Sequence, residues 1–307
     1  MFLVLACAPG FGNMVILPTY DSTINSDPNA AIIKNTISQV IQLYESTFLD
    51  PITVRILFAE MNSGLGQSNT VFNVISYANW RSALAADSTT ANDATTLASI
   101  PGGTANPVNF STSMDVSTAN LRALGFNTGP PSSDGTISLN TAIMNLDRTT
   151  IDPAKYDLFS VAAHEIDEVL GFGSALNNLS NGDPVPTGAI WALDMFRWQS
   201  AGTRSFDTNV NSAAFFSINS GVTDLARFNQ TAGGDFSDYF STGPHIPEVQ
   251  DAFATPGVTP NPNVEFMELD VIGYNLAAPE PGTIVLVAAG LLLVAGRARR
   301  RSRIKQA

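Results

Sequence analysis

Apolar side chains recur at helical spacing from position 32 to 48: Ile32, Ile33, Ile37, Val40, Ile41, Tyr44 and Phe48. Asp27 and Pro28 precede them as an N-cap and a first-turn proline. ITVRILFAE (52–60) is rich in β-branched residues and predicts a strand. SALAADSTTANDATTLASIP (82–101) is small and polar and predicts a loosely packed helical segment. STANLRALGF (117–126) predicts a short helix closed by Gly125, and TISLNTAIMNLD (136–147) a strand pair or one long strand. A second strongly apolar helix follows at SVAAHEIDEVLGFGS (160–174), capped by Asp157 and ended by Gly171. Beyond it, 177–198 predicts a loop and then a helix or strand, and 205–240 short β elements joined by Gly and Asn turns. Residues 243–263 are rich in Pro and Gly, and VEFMELDVIGYNL (264–276) predicts a closing helical or mixed segment. This alternation implies an α/β domain over residues 13–276, with no internal repeat.

Composition changes this picture in two ways. The chain is 44% hydrophobic but only 14% charged, below the usual quarter, with Asn, Ser and Thr in place of charge. That is the character of a secreted or surface-exposed bacterial protein. The single cysteine, Cys7, lies in an apolar leader, so the mature domain has no disulfide framework. Net charge is −12, and residues 13–276 hold nine basic against 26 acidic residues, a net −17. Such a body repels nucleic acid and anionic membrane surfaces. Carboxylates in such number also suit calcium, but no EF-hand spacing is present.

The ends of the chain look like addresses. MFLVLACAPGFG (1–12) has the apolar character of the end of a signal peptide, without a basic n-region. VLAC at 4–7 is a loose lipobox that leaves lipidation of Cys7 as a minor alternative. At the other end Pro279-Glu280-Pro281 precedes the apolar run IVLVAAGLLLVAG (284–296) and the basic tail RARRRSRIK. In that order and position these three elements resemble the PEP-CTERM sorting signal of Gram-negative bacteria. The resemblance implies that residues 277–307 are a sorting segment, the protein's only membrane attachment, cleaved by an exosortase partner after export to the cell envelope or beyond.

The chemistry gathers in the second helix. His164 and Glu168 are four apart and share one helix face, with Glu165 beside them. A zinc hydrolase needs about three protein ligands and a neighbouring carboxylate to take a proton from water. His164 and Glu168 are candidate metal ligands and Glu165 the candidate general base. The chain has two histidines, so a third histidine ligand must be His245. Asp194 or another carboxylate is the alternative. The bland reading of Asp194 is an ion pair with Arg197 or a helix cap. For His164, Glu165 and Glu168 it is an acidic helix face, but three ionisable groups sit badly among Val161, Ala162, Ala163, Ile166, Val169 and Leu170 unless they are paired or bind a metal.

HEIDEVLGFGS resembles the metzincin signature H-E-x-x-H-x-x-G, with Glu168 for the second His and Ser174 where the third His usually falls. The leishmanolysin type is similar in taking its third His after a long insertion, and His245 stands 81 positions after His164. EFMEL (265–269) resembles the Met-turn region, which would put Met267 beneath the metal. Residues 14–276 also resemble PEP-CTERM bacterial metalloprotease-like proteins that carry Glu in place of the second His. The resemblance implies a metzincin-like zincin fold: a mixed sheet, an active-site helix and a long insertion before the Met-turn. It implies a secreted zinc endopeptidase acting on protein or peptide substrates. The alternative is a catalytically inactive zincin-like domain serving as a surface or biofilm-matrix protein.

Overall fold

A computed structural model describes residues 13–129 and 132–277. The apolar leader at 1–12 and the sorting segment from 278 onward lie outside the described residues. No helix among the described residues is long and apolar enough to cross a membrane. The chain divides into two compact units, the first ending at Asn275, and the elements below belong to the first.

The protein is mixed α/β. In chain order β1 (Val15–Tyr20), the single turn α1 (Ser22–Asn25), α2 (Ala30–Thr47) and β2 (Thr53–Glu60) come first. β3 (Gly66–Thr70), β4 (Phe72–Ser76), α3 (Tyr77–Asp87), α4 (Ala91–Ser99), β5 (Ser113–Ser117), α5 (Thr118–Ala123) and β6 (Gly135–Leu139) follow. Next are β7 (Met144–Asn145), β8 (Tyr156–Asp157), α6 (Leu158–Leu170) and β9 (Ile190–Trp191). The short strands β10 (Arg197–Ser200), β11 (Thr203–Arg204), β12 (Phe215–Phe216) and β13 (Ala226–Arg227) precede α7 (Val264–Gly273).

The main sheet has the order β1-β2-β6-β3. The first three strands run parallel and β3 returns antiparallel along the outer edge, in register from Gly66 opposite Leu139 to Thr70 opposite Gly135. Parallel β1 and β2 need a crossover, and α2 provides it. Its buried stripe is Ile33, Thr36, Ile37, Val40, Ile41 and Tyr44; Ile32 faces solvent. The helix starts two residues later than Asp27-Pro28 suggests, because the Asp27 carboxylate closes a local turn on the Asn29 N–H (2.5 Å).

Helix α6 is the centre of the molecule. It packs against α2, β3 and β6. Asp157 caps it by accepting from the Ser160 N–H (3.0 Å), and Gly171 ends it in the left-handed region at φ 117°. Two glycines allow its close approach to the sheet. A Cβ at Gly135 would stand 2.6 Å from Val169, and one at Gly66 would stand 2.2 Å from the Glu165 carboxylate and 2.9 Å from Val161.

Elsewhere the structure sharpens the sequence reading. The segment 82–101 is two helices, α3 and α4, divided by a capping box in which Thr90 and Asp93 satisfy each other's backbone N–H groups. The stretch 136–147 is β6, a 3₁₀ turn at 141–143 and the two-residue β7, so it is neither a hairpin nor one long strand. Residues 205–240 include β12 and β13, which complete a small antiparallel sheet ordered β11-β10-β12-β13.

Candidate metal centre

The last two turns of α6 present His164 and Glu168 toward the same point. His164 Nε2 is 3.8 Å from Glu168 Oε1 and 3.9 Å from Asp238 Oδ1, and ligand atoms of the three residues all lie within 4.8 Å of one another. Among the described residues this is the one group of three or more His, Cys, Asp or Glu with such convergence.

Each of the three is oriented by a further contact. His164 Nδ1 lies 3.0 Å from the Val249 carbonyl. A carbonyl only accepts, so a proton sits on Nδ1 and Nε2 is the nitrogen turned into the cluster. Glu168 Oε2 accepts from Ser68 Oγ at 2.6 Å, so strand β3 fixes the carboxylate and leaves Oε1 toward His164. Asp238 is buried, and its Oδ1 has no hydrogen-bond partner. An orphaned, buried carboxylate oxygen 3.9 Å from an imidazole nitrogen is costly, and a cation held between them would satisfy both. Metal ligands bind deprotonated, and one imidazole with two carboxylates would then offer two negative charges to a divalent ion. The donor set therefore fits a metal.

The segment bearing Asp238 is anchored from below. Arg197 is 1% exposed; its guanidinium donates to the Phe236 carbonyl and to Gln230 Oε1 (2.7 Å). Asn177 Oδ1 accepts from the Phe236 N–H at 2.9 Å, and the Asp238 carbonyl accepts from the Asn229 N–H at 2.7 Å.

Glu165 lies one residue along the helix and is 4% exposed, pressed against β3 at Gly66. Burial first, then the neighbouring Glu168 charge, pushes its carboxyl well above the usual range. Its Oε2 has no hydrogen-bond partner. Burial likewise pushes Asp238 well up, helped by the Asp235 and Glu168 charges, and raises Asp235 to about 6. All these groups line one cleft of about 630 Å³. Its walls include the whole of β3, the face of α6 from Ser160 to Glu168, and an aromatic pair, Phe72 and Trp191, with ring centroids 4.3 Å apart.

The structure brings His164, Glu165 and Glu168 together and does not bring His245 to them. His245 Nε2 lies 2.8 Å from Asp251 Oδ2 and Nδ1 lies 2.9 Å from the Gly243 carbonyl, so both ring nitrogens are engaged on an exposed loop. Asp238 occupies the third position instead. Asp194 is not at the cluster either. It is buried and accepts from Ser174 Oγ (2.5 Å), the Ala175 N–H and the Trp191 N–H (3.0 Å each), so it fastens the chain after α6 to the strand β9. Ser174, which the metzincin resemblance would replace by a third histidine, serves that fastening. Met267 lies half-buried within helix α7, not in a turn, and is not among the cleft-lining residues.

No family model, curated protein or solved structure matches the chain.

Proposed function

We propose that the protein is a metal-dependent hydrolase of peptide bonds, with a metzincin-like arrangement in which Glu168 and Asp238 replace two of the usual histidines. The observation that carries this reading is the convergence of His164 Nε2, Glu168 Oε1 and the unpartnered Asp238 Oδ1 beside a buried carboxylate, Glu165, in a cleft of ligand-binding size. Zinc, when bound there, would supply Lewis acidity and a water acidified toward neutral pH.

The chain's own groups then have distinct tasks. His164, Glu168 and Asp238 hold the ion. Val249 and Ser68 hold His164 and Glu168 in orientation, which supports both affinity and geometry. Glu165 takes the proton from the attacking water and returns it to the leaving amine. Its Oε2 makes no hydrogen bond and faces the same cleft, so the carboxylate is free to take a proton there. Strand β3 is an edge strand lining the cleft, with its outer side unpaired by any other strand among the described residues. An extended peptide laid along it gains main-chain hydrogen bonds and passes over Glu165 and Glu168.

Glu165→Gln separates this reading from an inactive surface protein. It should keep the metal and remove hydrolysis of a casein-type substrate. No hydrolysis by a metal-loaded wild type would leave the inactive reading, and equal hydrolysis by the wild type and Glu165→Gln would contradict Glu165 as the base.

A further inference from the structure

The cleft is lopsided in charge in a way that the metal does not cancel. Seven carboxylates line it, and no lysine or arginine does. Four of the seven are spoken for. Glu168 and Asp238 face the ion. Asp157 is paired with Arg148 at 2.6 Å. Asp251 is paired with His245 at 2.8 Å. Three acidic groups remain: Glu165, which works on water, and Asp235 and Glu248, which form no salt bridge among the described residues and feel only the longer-range influence of His164 and His245 respectively. Asp235 receives one long bond from Asn177 Nδ2 (3.3 Å), and the Glu248 carboxylate makes no hydrogen bond among the described residues. Both are half-buried, where solvent screens a charge less than on an open surface.

We infer that the cleft selects peptides carrying a lysine or arginine side chain near the scissile bond, with Asp235 and Glu248 as the specificity-determining groups. This rests on the peptide-hydrolase reading for the word scissile, but the charge selection stands on the cleft alone. A long basic side chain can lay its methylene stem on the cleft's apolar walls and carry its charge to a carboxylate. A peptide with Asp or Glu at the same place meets uncompensated like charge and is rejected. Burial raises both carboxyls, Asp235 to about 6 and Glu248 to about 7, so a basic side chain bound beside them would also draw off their protons.

The test uses three fluorescein-labelled peptides of one length and sequence, differing at one central position: Lys, Gln or Glu. Binding is read by anisotropy on zinc-loaded Glu165→Gln, and hydrolysis separately on the zinc-loaded wild type. The Lys peptide should bind at least about tenfold more tightly than the Glu peptide at low salt, with Gln between them and the spread narrowing as salt rises. Adding Asp235→Asn and Glu248→Gln, together and singly, should bring Lys and Gln to within about twofold. Adding Asp183→Asn and Asp224→Asn, exposed acids outside the cleft lining, should leave the preference intact and so exclude a general effect of an acidic body. Equal binding of all three peptides, or a preference that survives the cleft changes, overturns the inference. Equal hydrolysis of all three peptides overturns it while leaving the hydrolase reading. Selective binding without any hydrolysis upholds it and overturns the hydrolase reading instead.

Discussion

Glu165 and Glu168 are three residues apart on one helix and meet different surroundings. Glu168 is bonded by Ser68 at 2.6 Å and faces an imidazole, while Glu165 is packed against the β3 backbone with one oxygen unbonded. Ser68 fixes Glu168 toward His164, whereas burial raises the Glu165 carboxyl well above its ordinary range. The two residues should therefore respond oppositely to amidation. Glu165→Gln should retain metal within error and lose about 10²–10⁴-fold in kcat, since only the proton acceptor is gone. Glu168→Gln should lose metal, since a neutral amide is a poor ligand. Metal analysis beside a peptidase assay distinguishes the two, and identical behaviour of both variants would contradict the division of roles. Of this arrangement, His164, Glu165 and Glu168 were legible in the sequence because helix periodicity fixes which residues share a face. Asp238 was not. It lies in DFSDYF, within a stretch of short strands and turns where no spacing relates it to α6. Its approach depends on the buried Arg197 and on Asn177, which are distant in sequence. His245 was suggested by the scarcity of histidine and by the leishmanolysin-type spacing, and its partner Asp251 lies only six residues away.

At the scale of elements, the site depends on how closely β3 lies over α6. Gly66 sets that distance at the position of Glu165, and Gly135 does so on the neighbouring strand at Val169. Gly66→Ala should destabilise the fold by about 1–3 kcal/mol through overpacking and also displace the Glu165 carboxylate, lowering kcat. Gly135→Ala should cost a similar amount in denaturant unfolding, because Val169 must give way, but leave kcat of the folded fraction nearly unchanged. An active Gly66→Ala variant with wild-type kcat would show that the position of Glu165 is not set by this contact. Helices α2, α5 and α6 are readable from apolar spacing and from Asp157, Gly125 and Gly171 at their ends, whereas 264–276 has no single apolar face and reads as helical or mixed. The break of 82–101 into two helices depends on Thr90 and Asp93, a Thr-x-x-Asp pair that signals a cap only once its bonds are seen. The two-residue strands are too short to carry any periodicity.

For the whole molecule the governing fact is buried negative charge. Asp50 and Asp235 are raised to about 6 and Glu248 to about 7, chiefly by burial. A carboxyl whose pKa is higher folded than unfolded binds more protons in the folded state between those two values. The stability it contributes is thus present below the unfolded pKa, near 4, and is lost as pH rises through the folded one. The metal-free protein should therefore lose stability between about pH 4 and pH 7. Zinc should reverse the trend, because it binds the deprotonated ligands and stabilises the folded state more as pH rises. Thermal melts across this range, with and without a chelator, read both slopes. A metal-free protein that gains stability steadily from pH 5 to pH 7 would contradict the burial-driven shifts.

The most direct test of the metal centre is the metal content of the purified protein and three variants, measured by mass spectrometry with zinc, manganese and iron all counted. Two carboxylates and one imidazole make a harder donor set than a histidine-rich one, so all three metals belong in the count. The wild type should hold one ion per chain. His164→Ala and Asp238→Asn should each reduce this to a small fraction, and His245→Ala should leave it near one. A metal-free wild type at saturating zinc, or full occupancy in Asp238→Asn with loss in His245→Ala, would contradict the centre described here.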